Sequence, residues 1–384
     1  MPFDDRDFPD LPRGERAATP RAKRLVGLWL YCIAAMILVM TGLGGATRLS
    51  GSGLSIMEWA PIMGTFPPLS GGEWERLFAL YRKIPQYSLI NEGFGLEGFK
   101  RIFWLEWSHR LWGRLIGLVF VVPLLWFAAT RRLELRLVPR LVLFLFLGGL
   151  QGAAGWFMVA SGFFPDATAV APVRLVVHLG LALLLYGAVL WTALSLAPPG
   201  PRVMDASVLL RGWSWLTLGL TAATLMAGGF VAGLHAGLTY NTFPLMDGRW
   251  VPEGYADLDP FIRNLTGNVA AVQFNHRLLA TLTLIAATIL SIAAWPRRAV
   301  LGWRALAPVG FVLAQYILGV LTLVLVSPPG LALAHQVCAM LLLTAVLTLT
   351  HAVRPFQIPG HGQMPRRAPF HRSVTSSAAE DPKA

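Results

Sequence analysis

The sequence predicts an all-α membrane protein whose eight transmembrane helices form two repeated four-helix bundles. Three observations carry this expectation. The 384-residue chain is 55% hydrophobic and only 14% charged, against about 25% charged in a typical soluble domain. Several uncharged runs exceed the ~18 residues that mark a membrane-spanning helix. A set of short motifs occurs twice, in the same order, along the hydrophobic region.

Residues 1–24 are polar, with Asp4, Asp5, Asp7 and Asp10 set among arginines. Mitochondrial transit peptides are poor in acidic residues, so this stretch reads as a cytoplasmic tail. The first apolar run, Leu25 to Thr47, is long enough to span and reads as an uncleaved first helix. Spans are expected at 25–47, 108–130, 139–162, 174–197, 210–233, 274–295, 304–327 and 331–353. The loop after the first span carries turn chemistry (Gly51-Ser52-Gly53, Pro61, Pro67-Pro68, Gly71-Gly72), with short amphipathic helix expected around Glu73–Arg82. The loop after the fifth contains Pro244, Pro252 and Pro260. The expected units are an N-terminal half at 25–197, a cytoplasmic linker at 198–211, a C-terminal half at 212–353 and a disordered cytoplasmic tail at 354–384.

The formal net charge is +12, but the basic residues cluster in the N-terminal segment, the short loops and the C-terminal tail. That pattern reports topology and lipid electrostatics, so membrane lipid is an expected partner and nucleic acid is not. Arg131, Arg132, Arg136 and Arg140 follow the second span, Arg202 and Arg211 the fourth, and Arg297, Arg298 and Arg304 the sixth. The positive-inside rule places these links and both termini in the cytoplasm and the two long loops outside. Cys32 and Cys338 both fall inside spans, so no loop disulfide is available, and each reads as a small apolar filler.

The halves read as repeats. Gly44-Gly45 matches Gly228-Gly229, and His109-Arg110 matches His276-Arg277. Gln151 with Gly155 matches Gln315 with Gly319, and His178 matches His335. Order is kept while the offset drifts, as expected of a duplicated four-helix unit. Four histidines thus fall near the external ends of spans 2, 4, 6 and 8. A lone histidine at a helix end is commonly a hydrogen-bonded residue. Four at equivalent points of a repeat point to ligation, because intramembrane ionisable groups are costly unless they serve a purpose. Heme suits them: two imidazoles from facing helices bind iron axially while the apolar bundle holds the porphyrin. Zinc asks for three or four clustered ligands. The expected pairs are His109 with His178 and His276 with His335; His235, His351, His361 and His371 have no repeat partners.

Arg110 and Arg277 each follow a candidate ligand. An interfacial anchor and a bidentate contact to a heme propionate both fit them, and Arg48, placed in the external loop, is a weaker candidate. The repeated glycines fit either close approach of a flat macrocycle or tight helix packing. Glu106 lies three residues before His109, on one face if the helix begins that early. Its counterpart is Gln273, isosteric but unable to ionise. A carboxylate beside a porphyrin can move protons or stabilise developing positive charge, and electron carriage alone would not require the asymmetry. The plainer reading is a surface carboxylate paired with Arg110.

With Gly44 to Ser55, Glu106 to Arg110, Gln151-Gly152, His178, Asn275-His276-Arg277 and His335, the sequence resembles the heme A synthase family over nearly all of residues 25–353. The resemblance implies an oxidoreductase of the bacterial inner membrane. It would oxidise the C8 methyl of heme O to the formyl group of heme A through hydroxylated intermediates. It further implies that His276 and His335 hold heme B as an electron-transfer cofactor, leaving His109, His178 and Glu106 as the substrate side. Heme O synthase, cytochrome oxidase assembly factors and an electron acceptor are its candidate partners. Some bacterial members carry cysteine pairs in external loops. This chain has none there, so it resembles the branch shared by proteobacteria and mitochondria, and its acidic tail favours a bacterial source. A bis-histidine b-type cytochrome working between quinone and a partner fits the composition and ligand spacing equally well, and a non-catalytic heme carrier is a third reading. Only the Glu106/Gln273 difference and the resemblance speak against the cytochrome reading. No Walker-type nucleotide loop is present.

Overall fold

The computed structural model describes residues 19–355 apart from 166, 197–202 and 204–205. The expectations for most of the N-terminal tail, half of the linker and nearly all of the C-terminal tail, with His361 and His371, lie outside these residues. The described residues are helices joined by loops and short 3₁₀ turns, with no strand among them. Among the described residues, eight helices are long and apolar enough to cross a membrane, and the chain is a multi-pass membrane protein. They are α1 (Pro20–Leu49), α2 (Leu96–Ala129), α3 (Val138–Ala160), α4 (Pro172–Leu196), α5 (Val208–Gly233), α6 (Val269–Ala294), α7 (Ala307–Val324) and α8 (Pro329–Val353).

Local chemistry accounts for several of the ends. Thr19, Ser207 and Asn268 cap α1, α5 and α6 by accepting from backbone N–H groups of the first turn. Proline stands in the first turn of α1, α3, α7 and α8, where its missing N–H costs nothing.

One expected boundary moves far. The second span was expected to begin at 108, but α2 begins at Leu96 and runs 34 residues, about 51 Å at 1.5 Å per residue. That exceeds a ~30 Å hydrocarbon core. The extra turns carry Glu97, Lys100 and Arg101, which end a hydropathy window but not a helix. They persist because Phe99, Phe103 and Glu106, at helical spacing, are buried. Phe99 and Phe103 pack with Leu54, Leu77, Phe78, Tyr81 and Val159 in a satellite core beneath the first long loop. The loop helix expected near Glu73–Arg82 is Gly71–Tyr81, capped by Ser70. Arg48, expected in that loop, is instead in the last turn of α1.

Within the N-terminal part, α1 packs on α2 and α4, and α3 on α4 and α2. Within the C-terminal part, α5 packs on α6 and α8, and α7 on α6 and α8. The two parts meet where α4 packs on α5 and α8, and α1 on α8. One large apolar cluster belongs mainly to α1–α4, another to α5–α8, and α8 contributes to both.

Candidate functional site

Each of the four repeated histidines sits on a helix entered from the side of the long connections. His109 is on α2, His178 on α4, His276 on α6 and His335 on α8. His109 and His178 are near enough to interact electrostatically, and so are His276 and His335. His109 thus has His178, and His276 has His335, as its histidine neighbour.

The glycines acquire a reading that spacing alone did not supply. A Cβ built on Gly44 would lie 3.3 Å from His109 Nε2, and one on Gly155 would lie 3.0 Å from His178 Cε1. The equivalents are 3.1 Å from Gly228 to His276 Cε1 and 2.8 Å from Gly319 to His335 Cε1. In all four cases a glycine on one helix clears space for the imidazole of the next. The second glycine of each pair faces across the molecule. A Cβ on Gly45 would strike the Gln336 side chain at 2.4 Å, and one on Gly229 would come within 3.0 Å of Leu179.

Two repeated glutamines flank the second histidine of each pair. Gln151 Nε2 donates to the His178 carbonyl at 3.0 Å and lies 3.4 Å from His178 Nε2. Gln315 Nε2 lies 3.4 Å from His335 Nε2, and His335 Nδ1 donates to the Gln315 carbonyl at 3.1 Å. Sequence reasoning noted these glutamines as repeat markers and assigned them no contact; their retention at a fixed four-residue distance from the glycine was the available signal.

Glu106 is 4% exposed, so the reading of a surface carboxylate is overturned: ten residues of α2 precede it, and the helix does not begin at the surface where the apolar run does. Its Oε1 accepts from Arg110 Nε at 2.7 Å, and its Oε2 lies 3.9 Å from His109 Nδ1. Gln273, 2% exposed, accepts likewise from Arg277 at 3.0 Å. It also donates to the carbonyls of Ala236 and Thr239, each at 2.7 Å, which no carboxylate could do.

Arg110 donates to the Ile56 and Glu58 carbonyls, and Arg277 to those of Tyr240 and Thr242. Each arginine so ties its long loop over its histidine pair. Arg48 donates to the Ala232 carbonyl, joining the end of α1 to the end of α5. Next to it, His235 is exposed overall, yet partial desolvation of its ring and then the Arg48 charge push it below the usual histidine value. His351 is a buried interface residue whose Nε2 lies 3.1 Å from Ser195 Oγ. Cys338 is buried and Cys32 is exposed.

The Nδ1 atoms of His109, His178 and His276 are buried without a well-formed hydrogen bond, though the Gln151 and Thr224 backbones lie near the last two. Among the described residues no cluster of three or more His, Cys, Asp or Glu side chains is arranged to hold a metal ion. Paired imidazoles with unspent ring nitrogens, each beside a cleared glycine, fit axial ligation of heme iron better than a tetrahedral metal site.

Fold and site together define a class: an eight-helix membrane protein with a histidine pair in each of two sequence-related halves. The family model described as cytochrome oxidase assembly protein, COX15-CtaA, matches residues 27–347, and the chain belongs to that family. It is 59% identical over 343 residues to the heme A synthase of Granulibacter bethesdensis, covering 88% of this chain and 91% of that one. It is 46% identical to heme A synthase 2 of Acidiphilium cryptum, covering 86% and 92%. It is also 46% identical to the heme A synthase of Azorhizobium caulinodans, covering 85% and 93%.

Proposed function

We propose that this protein is a heme A synthase that oxidises the C8 methyl of heme O to a formyl group. The observation that carries the reading is an asymmetry inside a repeat: Glu106 and Gln273 occupy equivalent buried positions beside equivalent arginines, and only Glu106 can take up a proton. Written with water as oxygen source, CH₃ + H₂O → CHO + 4H⁺ + 4e⁻, the reaction needs a proton acceptor near the methyl and a route for electrons. Glu106, with Oε2 toward His109, is suited to the first task. Arg110 holds the other carboxylate oxygen and keeps it oriented.

The N-terminal half, 25–197, is proposed to bind heme O through His109 and His178. The C-terminal half, 212–353, is proposed to hold heme B through His276 and His335, as one of two repeated four-helix bundles. When bound, heme B would supply one-electron transfer. Gln273 cannot ionise, and its two loop hydrogen bonds serve rigidity rather than proton movement. Arg277 Nε is buried without a partner, which suits it to a propionate; Arg110 and Arg48 are proposed as further propionate donors. Residues 1–24 and 354–384 are proposed to be cytoplasmic, in a bacterial inner membrane. The close relatives named as heme A synthases support the reaction class.

The test is to purify the protein from cells that also make heme O and to separate its extracted porphyrins by chromatography with mass detection. Heme B together with heme O, its hydroxylated form or heme A is the expected result. Heme B alone would favour an electron-transfer cytochrome, and no heme would exclude both readings.

A further inference from the structure

The first long loop contains a twelve-residue stretch without a charge, Trp59 to Ser70. Its apolar side chains stand out from the protein: Ile62 is 80% exposed, Met63 77% and Phe66 71%. In water such a patch would be a liability, and its position relative to α2 explains it. The loop descends along that helix. Ile56 and Glu58 accept from Arg110, and Pro61 and Ala60 then accept from Arg114 at 2.8 Å each. Arg114 lies one turn, about 6 Å, further along α2 toward the membrane interior. Gly64 belongs to the same contact, since a Cβ there would lie 2.8 Å from Arg114 Nη2.

Three further observations fix the environment. The Trp59 ring lies tilted against Trp156 of α3 at 5.2 Å, and Trp104 meets Trp107 of α2 edge to face at 5.4 Å. Tryptophans so grouped are of the kind found at membrane interfaces, and the Ala60 and Pro61 carbonyls that follow Trp59 are held by Arg114, seven residues beyond Trp107 along α2. The backbone at the tip is partly self-satisfied, as irregular chain at membrane depth must be. Gly64 N donates to Ala60 O, Thr65 N to Ile62 O and Phe66 N to Met63 O. Of the charges around the stretch, Glu58 pairs with Arg76 at 2.8 Å, and Glu73 accepts from the Leu69 backbone N–H at 3.3 Å. The other half lacks the device: position 281, equivalent to Arg114, is Thr281, which accepts from or donates to Tyr316.

We infer that residues 59–69 are a re-entrant segment whose tip inserts into the lipid leaflet on the side of the long loops, with Arg114 as its tether. Its partner is the acyl-chain region of the bilayer, continuous with the apolar outer faces of the spans. A cleft of about 130 Å³ between the segment and α2, lined by Met63, Phe66, Trp107, Arg110 and Arg114 and, at its outer rim, by Glu58, Glu73 and Arg76, then lies at the lipid boundary.

The test uses single cysteines in a C32A/C338A background: I62C, M63C and F66C at the tip, L118C on the exposed middle of α2, and E75C on the exposed face of the loop helix. Each is spin-labelled in the full chain, in vesicles of phosphatidylethanolamine and phosphatidylglycerol, and its relaxation by oxygen is compared with that by a water-soluble nickel chelate. The tip labels should show an oxygen-to-nickel ratio several-fold above that of E75C and close to that of L118C. A ratio like that of E75C would place the tip in water and overturn the inference. Labels shielded from both reagents would mean that protein covers the segment, and would overturn it equally.

Discussion

Glu106 and Gln273 differ by one ionisable oxygen, and their surroundings differ accordingly. Gln273 spends both amide hydrogens on loop carbonyls, whereas Glu106 offers only acceptors and takes Arg110. Exchanging them should therefore give unlike failures. Glu106→Gln should lower heme A formation by roughly 100-fold or more, the usual worth of a positioned acid or base, while heme B stays bound. Extracted-heme chromatography reads both quantities, and unchanged turnover would remove the catalytic role. Gln273→Glu leaves the Ala236 and Thr239 carbonyls without their donor and should cost about 1–3 kcal/mol per lost partner, seen as a lower melting temperature. At His235 the sign of a pH effect can be worked out. Its folded-state value lies below the ~6.5 of a free histidine, so below that pH the unfolded chain binds more protons and stability falls with acid. His235→Asn, which tolerates the left-handed backbone there (φ 52), should lose less melting temperature between pH 8 and 5.5 than the parent.

At the scale of the helix, the four glycine–imidazole contacts are the structural form of the repeat. Gly319→Ala would put a methyl 2.8 Å from the His335 ring. Overpacking costs about 1–3 kcal/mol, so heme retention by the C-terminal pair should weaken roughly tenfold or more. Gly148→Ala, where a Cβ meets nothing within 4 Å, should leave the heme absorbance per protein unchanged. Helices were legible in the sequence wherever a single property, uninterrupted hydropathy, defined them; the observed α4, α5 and α8 begin and end within two residues of expectation. The start of α2 was not legible because it is stabilised by the satellite core beneath the loop, and its charged residues break the apolar run. Arg114 was visible as a charge inside an expected span, but its partners are loop carbonyls some fifty positions earlier, which no periodicity reports.

Across the whole molecule, polar links join the two parts at the level of the histidines. Gln336, next to His335, donates to the Thr41 carbonyl of α1 at 2.6 Å, and Arg48 donates to that of Ala232. Arg48→Ala should cost about 1–3 kcal/mol for a charge-assisted bond, read as a lower melting temperature. It should also narrow the acid-sensitive window of His235, since the neighbouring positive charge contributes to the lowering of that group.

Hydropathy, charge bias and repeat order are properties of neighbours in the chain. By themselves they determined a membrane protein of eight helices and singled out four histidines at equivalent points of a repeat. The burial of Glu106, the clearing of each imidazole by a glycine, the crossing of Arg48 and the descent of residues 56–66 along α2 were decided only by the tertiary structure. Those contacts join groups up to 184 positions apart. Whether such groups meet depends on how side-chain shapes and unsatisfied backbone carbonyls are accommodated between packed helices, and that information is not carried by any local pattern.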